Sequence, residues 1–366
     1  MGGSSAARRC PLWTTSGPHA GPARVTRMDL SDVAGRQGGV FTRRQARASG
    51  LSPAAVRTLL RSGTWTVLAR GVYAPTASVQ ASATDPHAHH VLFAAARVLT
   101  SGLGVVTSHR TAALVHGLPV LGRPPPVPQL TRSPRFTGDS SAVRALYVAG
   151  LPEGAATGRG GIPVTALART ACDVARRADF RGGVVTADAA LRAGLDREEL
   201  IAVAHSCRGW PGGARAVRAA AFADGRAETP LESITRVAYD LEGLPPPETQ
   251  VEVRAPDGHL VGLVDFLWRA QRTVGEADGM LKYDEAGALR REKLREEDLR
   301  GCGLEVVRNI WDDAWTPTGR RELGRRARQA FEFAAVRPPV AGVHFRTPTL
   351  AELTRSGRGL PDRVAS

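Results

Sequence analysis

Three carboxylates and a lysine stand close together in the stretch GLVDFLWRAQRTVGEADGMLKY, residues 262–283: Asp265, Glu276, Asp278 and Lys282. The flanking pattern reads as two strands and a turn, and strands ordinarily bury apolar side chains on at least one face. Buried carboxylates are costly unless a cation or hydrogen-bond donors meet them. Asp265 and Glu276 are eleven residues apart, a separation that suits two paired strands joined by a short turn. Carboxylate oxygens on adjacent strands are the ligands that a hard divalent cation such as Mg²⁺ or Mn²⁺ takes. Glu232, in the preceding helical segment, reaches such an ion directly or through water. Each residue also has a plainer reading. Glu232 is the third residue after Thr229 in TPLE, the acid of a capping box. Asp265 lies on the solvated face if alternation alone governs the strand, opposite to both Val264 and Phe266. Lys282 is a surface lysine at a helix start.

The elements around these residues follow from local signals. TPLESITRVAYDLEGL (229–244) has Thr229 as N-cap and Pro230 at the first helical position. PPPETQVEVRAP is a strand, Asp257-Gly258 a tight turn, HLVGLVDFLW a second strand and RTVGEAD a third. DEAGALRREKLREEDLRGCG is a long helix with Leu289, Leu294 and Leu299 near one face and Gly301 as its stop, and LEVVRNI is a buried strand. The order is αβββαβ. From 228 to 315 there are 19 acids and 11 bases, so this unit is not itself a basic DNA clamp.

That order, with Glu232, Asp265 and Glu276 in their places, resembles the PD-(D/E)xK nuclease fold of restriction and very-short-patch-repair endonucleases. The resemblance implies metal-dependent hydrolysis of a DNA phosphodiester. Asp265 and Glu276 would then be metal ligands, Glu232 an accessory acid, and Asp278 and Lys282 would tune the site. The third-strand motif departs from the family form, because Asp278 stands where the family's lysine usually lies; Lys282, four residues on, is placed to reach back.

The N-terminal part carries a different chemistry. Between residues 31 and 75 the bases are Arg36, Arg43, Arg44, Arg47, Arg57, Arg61 and Arg70, against the single acid Asp32. DLSDVAGRQGG offers Ser31 as an N-cap; FTRRQARASG has Thr42 before a short helix ended by Gly50; LSPAAVRTLLRSG has Ser52 as N-cap, Pro53 at the first helical position and Gly63 as its stop. TWTVLARGVYA turns at Arg70-Gly71 as a two-stranded wing would. Two helices joined by a short turn form a helix-turn-helix. Arg57 and Arg61, four apart, share one face of its second helix. Arg43, Arg44, Arg57, Arg61 and Arg70 are the candidate DNA-binding residues, on bases or phosphates. The competing reading is a small structural unit packed on the next domain. GGVFTRRQARASGLSPAAVRTLLRSGTWTVLARGVYA resembles the winged-helix domain of AbiEi-type antitoxins. That resemblance implies operator binding, transcriptional repression and a cognate toxin as partner.

Across 366 residues the net charge is +14, which favours a polyanionic partner. Only Lys282 and Lys293 are lysine, an arginine bias that GC-rich coding also produces. Four scattered cysteines form no CxxC pair, which fits a reducing cytoplasm, and no apolar run is long enough to span a bilayer. The expected organisation is α+β and multidomain: a disordered extension at 1–27, a winged helix-turn-helix at 28–75, a mainly helical middle domain at 76–225, the αβββαβ restriction-endonuclease-like unit at 226–315, a basic helix at 316–335 and a disordered tail at 336–366. In the middle part, HAHHVLFAAARVL and VVTSHRTAALVHGL read as helices, with His109 and His116 seven apart; two histidines fall short of a metal site and are expected to be solvated or packed. The alternative to an endonuclease is an antitoxin-like repressor whose nuclease fold is an inactive scaffold.

Overall fold

The computed structural model describes residues 29–136, 145–278 and 288–355. The expected extension at 1–27 and Lys282 lie outside them. The first unit runs α1 (Leu30–Gly35), β1 (Phe41–Thr42), α2 (Arg43–Ala48), α3 (Pro53–Arg61), β2 (Trp65–Ala69) and β3 (Val72–Pro75), with strand order β1-β3-β2. Local chemistry sets its boundaries. Thr42 and Gln45 form a reciprocal capping box on α2, and Ser52 caps α3 by accepting from Ala55 N at 3.1 Å. α1 is capped by Asp29 rather than Ser31, whose N–H instead donates to Asp29 Oδ1 at 2.8 Å; Asp and Ser are comparable N-caps, and here the residue two positions earlier, with its extended backbone, takes the role. Ala34, Phe41, Ala46, Val56 and Tyr73 form a small core, with Trp65 edge-on to Phe41 at 4.7 Å.

The next stretch holds α4 (Thr76–Ala83), α5 (Pro86–Thr100), β4 (Val105–Thr107), α6 (His109–Val115), β5 (Leu130–Arg132), β6 (Leu146–Val148), β7 (Ala156–Arg159), β8 (Ile162–Thr165), α7 (Leu167–Arg177), α8 (Phe180–Arg192), α9 (Arg197–Ser206) and α10 (Gly213–Phe222). It is therefore not mainly helical throughout. A five-stranded mixed sheet, ordered β6-β5-β4-β8-β7, fills its first half, and Val105–Thr107 is a strand where a helix was expected. These strands are three or four residues long, too short for alternation to declare them, and β4 meets β8 through Thr107 and Val164 from far along the chain. The winged unit is docked on this sheet. Val40, Val72 and Ala74 share a core with Leu92, Ala95, Val115 and Ile162. At Gly161, whose φ is +74°, a β-carbon would lie 2.1 Å from Arg36 O, so only glycine permits the approach. Behind the sheet, α7 and α8 are almost wholly buried among α6, α9 and α10.

The C-terminal unit comprises α11 (Pro230–Leu241), β9 (Glu248–Arg254), β10 (Leu260–Trp268), β11 (Thr273–Ala277), α12 (Ala288–Gly301), β12 (Glu305–Asn309), α13 (Trp311–Trp315), α14 (Pro317–Val336), β13 (His344–Arg346) and α15 (Leu350–Arg355). The αβββαβ order is as expected. Its sheet is ordered β12-β11-β10-β9-β13, with β11 and β12 parallel and the other pairs antiparallel. One face packs Phe266 and Trp268 against Tyr239 of α11 and Leu323 and Ala327 of α14; Val185 of α8 enters the same core. The other face packs Val251, Val253, Val264 and Leu267 with Leu299 and Leu304. On α12 the apolar stripe is narrower than expected: Leu299 is buried but Leu294 is 50% exposed.

The tail departs from the expectation of disorder at 336–366. β13 adds a fifth strand beside β9, where Arg346 meets Glu252 at 2.7 Å, and Leu353 of α15 is buried. Proline and glycine content argued for disorder, but a three-residue edge strand needs only a free neighbour to pair with. Residues 356–366 lie outside the described segments. Cys172, Cys207 and Cys302 are free and buried. Among the described residues no helix is long and apolar enough to cross a membrane.

Candidate nucleic-acid interface and carboxylate centre

Two constellations stand apart in the fold. The first lies on the winged unit. Because Val56 faces its core, Arg57 and Arg61 project outward from α3, and both are exposed. Arg43 and Arg44 are exposed at the start of α2, and Arg70 is exposed at the turn between β2 and β3. Arg43 Nε donates to Tyr73 Oη at 3.1 Å, which ties it to β3. Among the described residues none of these five arginines is in an ion pair. Their charges are presented to solvent on the helix-turn-helix and its wing, the arrangement that meets phosphates and base edges in known winged helices.

The second constellation lies at the junction of α11, β9, β10 and β11. Glu232 sits in the first turn of α11 and is buried. Its carboxylate accepts from Glu228 N at 2.9 Å, from Thr229 Oγ1 at 2.9 Å and from Gln250 Nε2 at 2.9 Å. Thr229 Oγ1 in turn accepts from Glu232 N at 3.2 Å, so the capping role and the site role belong to one residue. Gln250 Nε2 also donates to Asp265 Oδ1 at 3.2 Å, and Asp265 Oδ2 accepts from Ala277 N at 2.9 Å. Glu276, buried on β11, pairs through Oε1 with Arg295 of α12 at 2.7 Å. The structure therefore brings Glu232, Asp265 and Glu276 into one centre.

Asp278 is near enough for its charge to raise Glu276, but it has its own partner. Its carboxylate pairs with Arg308 of β12 at 3.1 Å, and Arg308 also holds Glu296 at 3.0 Å. Simple alternation fails at Asp265 as well. Val264 lies in the core on one face of the sheet and Phe266 in the core on the other. Opposite this break, Gln250 has a left-handed φ of +53°, which turns its amide toward the two acids.

Burial and mutual repulsion raise the proton affinity of these carboxyls. Glu232 is pushed up to about 8 by burial and by the nearby Asp265. Glu276 is also pushed up to about 8, by burial and Asp265, with Arg295 opposing. Asp265 is raised by burial, against the donors Ala277 N–H and Gln250 and the charge of Arg295.

Gln250 and Arg295 were not legible in the sequence as site residues. For Arg295 one signal was present: at Gly262 a β-carbon would lie 2.8 Å from Arg295 Nε, so glycine opens the path by which that side chain crosses β10 to reach Glu276 and Leu263 O. Among the described residues no group of three His, Cys, Asp or Glu side chains has the geometry to hold a metal ion. The oxygens of Glu232 and Asp265 are already engaged by protein donors, so a cation would have to displace Gln250 from Asp265 or Arg295 from Glu276.

The basic tail helix resolves differently from the winged unit. On α14, Arg320 pairs with Glu242 at 2.7 Å, Arg326 with Asp313 at 3.0 Å and Arg325 with Glu322 at 2.6 Å. Arg328 donates to Glu242 O and Arg321 to Thr318 Oγ1. Arg320, Arg326 and Arg328 thus fasten α14 to Glu242 and Asp313, whereas Arg321 and Arg325 bond only within the helix.

Residues 28–76 match the family model described as "Transcriptional regulator, AbiEi antitoxin". Two curated Mycobacterium tuberculosis proteins, "Uncharacterized protein MT2308" and "Uncharacterized protein Rv2248", are each 35% identical to this chain over 164 residues, 44% of this chain and 58% of theirs. The chain thus spans little more than half the length of those relatives. A solved structure, that of the RV2827C protein from Mycobacterium tuberculosis, aligns over 59% of this chain and 79% of its own with a TM-score of 0.33 and 17% identity, which is too distant to argue from. The first ordered unit is therefore similar to AbiEi antitoxins, and the carboxylate centre lies outside residues 28–76.

Proposed function

We propose that this protein is a DNA-binding transcriptional regulator of the antitoxin type, with a toxin protein as its partner. The observation that carries the reading is the outward arginine surface of α2, α3 and the wing, without an ion pair among the described residues, on a unit similar to AbiEi antitoxins. Lysine and arginine that neutralise phosphates give binding a steep salt dependence. The test is fluorescence anisotropy of the purified chain on DNA from its own promoter, with an unrelated duplex as control. Tighter binding to the promoter, lost on mutation of Arg57 and Arg61, supports the reading. Equal, weak binding to both duplexes would remove the regulatory part of it.

A second reading rests on the convergence of Glu232, Asp265 and Glu276. We infer a metal-dependent endonuclease centre as the alternative use of the C-terminal unit. Asp265 and Glu276 would hold Mg²⁺ or Mn²⁺ with Glu232 accessory, after the cation has displaced Arg295 or Gln250. When bound, the ion would activate water and offset charge on a phosphodiester. Asp278, engaged by Arg308, would act only on release from that arginine, and Lys282, four residues further along the chain, would tune the site. Incubation of plasmid and single-stranded DNA with Mg²⁺, Mn²⁺ or EDTA decides between the readings. Nicking that vanishes in both Asp265→Asn and Glu276→Gln makes the centre catalytic. Intact DNA, with promoter binding retained in both variants, makes it a structural scaffold.

A further inference from the structure

A cavity of about 500 Å³ opens beside α6 and α7, lined by none of the winged-unit arginines or carboxylate-centre residues, and it falls in the range of small-molecule sites. Part of its lining is apolar: Val120, Leu121, Val174 and Trp315. Trp315 is fixed there by Arg181, which donates to its carbonyl at 2.7 Å and lies 4.0 Å over its ring. His109, 2% exposed, lines the same cavity. Its Nδ1 is hydrogen-bonded to Ser108 Oγ at 2.9 Å, and its ring packs on Tyr147 at 4.2 Å. Its Nε2 is buried and, among the described residues, has no hydrogen-bond partner. The neighbouring buried histidines are satisfied: His90 meets Thr111 Oγ1 and His116 meets Thr165 O. Orphaned buried polar atoms of this kind are rare and call for a partner.

The backbone points the same way. His109 is the first residue of α6 and has a left-handed φ of +54°. Non-glycine residues persist there only where the surroundings over-determine them, and such positions gather at ligand sites. Two guanidinium groups complete the lining. Arg110 is anchored on Leu121 O and Arg123 O, each at 2.7 Å, and Arg177 lies 4.8 Å over the Tyr147 ring. Among the described residues neither is in an ion pair. The one acid of the lining, Asp179, is already used: it caps α8 by accepting from Gly182 N at 2.8 Å and pairs with Arg181. The cavity therefore offers two uncompensated cations, an idle buried imidazole and flat apolar walls.

We propose that this cavity binds a small anion with a flat apolar body, a carboxylate or phosphate on an aromatic frame. Its charged group meets Arg177 and His109 Nε2, and its body lies between Val174 and Trp315. In this arrangement Ser108 Oγ–H donates to Nδ1, so the imidazole proton sits on Nε2 and faces the anion. The site goes beyond DNA recognition and joins the α6–α7 region to α13 of the C-terminal unit.

The probe is 2-naphthoate, titrated into the full chain by isothermal calorimetry, with neutral 2-naphthylmethanol as its uncharged counterpart. One-site saturable binding is expected for the acid, and binding about tenfold weaker or more for the alcohol and for Arg177→Gln, the loss of one charge-assisted contact. His109→Phe keeps the stacking on Tyr147 and weakens binding to a similar degree. Ala178→Phe fills the cavity and abolishes binding. No saturable binding up to millimolar probe, equal affinity for the alcohol, or unchanged affinity in a folded Ala178→Phe would each overturn the proposal. Arg177 is exposed, so Arg177→Gln leaves the core intact and decides the matter even if the Phe variant does not fold.

Discussion

Arginine supplies nearly all the positive charge of this chain, yet two regions use it in opposite ways. On the winged unit, Arg43, Arg44, Arg57, Arg61 and Arg70 are exposed and none is in an ion pair among the described residues. Around α7 and α14 arginines are equally dense, and most of them are spent on the protein itself. Arg169 and Arg176 both hold the fully buried Asp173 at 2.8 Å while lying over the Trp210 ring, and Arg320 and Arg326 clamp α14 to Glu242 and Asp313. The lesson is that a basic stretch announces a nucleic-acid interface only where acids are missing from its surroundings. The winged unit has two acids, Asp29 and Asp32, against seven arginines; the unit that receives α14 is acidic overall.

The sharpest way to test this contrast is to remove the acid from a paired cluster. Asp173→Ala leaves Arg169 and Arg176 buried without a counter-charge and should cost roughly 3–5 kcal/mol, read as a large fall in the urea midpoint. A loss below about 1 kcal/mol would mean the cluster is solvated rather than structural.

Next in size is the converse experiment on the exposed set. Arg57→Ala with Arg61→Ala should weaken promoter binding by about 2 kcal/mol, roughly thirtyfold, and flatten its salt dependence, while the melting temperature stays put. A matched Arg321→Ala with Arg325→Ala change on α14 should leave DNA affinity untouched; if it weakens binding as much, the division between the two regions fails.

The carboxylate centre gives a pH-dependent counterpart. Glu232 and Glu276 bind protons more tightly folded than unfolded, so their contribution is fully present below about 4.5 and is lost as pH rises through about 8. His90 and His109, both lowered to about 4 chiefly by burial, act in the other direction and cost stability as pH falls below about 6.5. The difference in urea midpoint between the parent and Glu276→Gln isolates the first effect. It should favour the variant progressively from pH 5 to 8, and a difference independent of pH would show that Glu276 stays ionised beside Arg295.

The smallest effect belongs to a partly exposed pair. Arg320→Ala should lower stability by about 1 kcal/mol or less through loss of Glu242, with no change in DNA binding.

By itself the sequence determined what local chemistry can determine. Thr42, Ser52 and Thr229 cap helices through contacts three residues away, Gly63 and Gly71 end or turn elements because they accept a left-handed φ, and these signals marked out the winged unit and the αβββαβ order before any contact was known. The residue types of the carboxylate centre were legible for the same reason: acids inside apolar strands stand out without knowledge of their partners. Tertiary structure decided everything that depends on partners distant in the chain. Gln250 between Glu232 and Asp265, Arg295 on Glu276 through the gap left by Gly262, Asp278 held by Arg308 and β13 beside β9 all join separate elements, 15 or more residues apart. The short strands of the middle sheet and the orphaned Nε2 of His109 belong here too. Three residues carry too little pattern to declare a strand, and whether a buried imidazole finds a partner is settled only when the surrounding helices close around it.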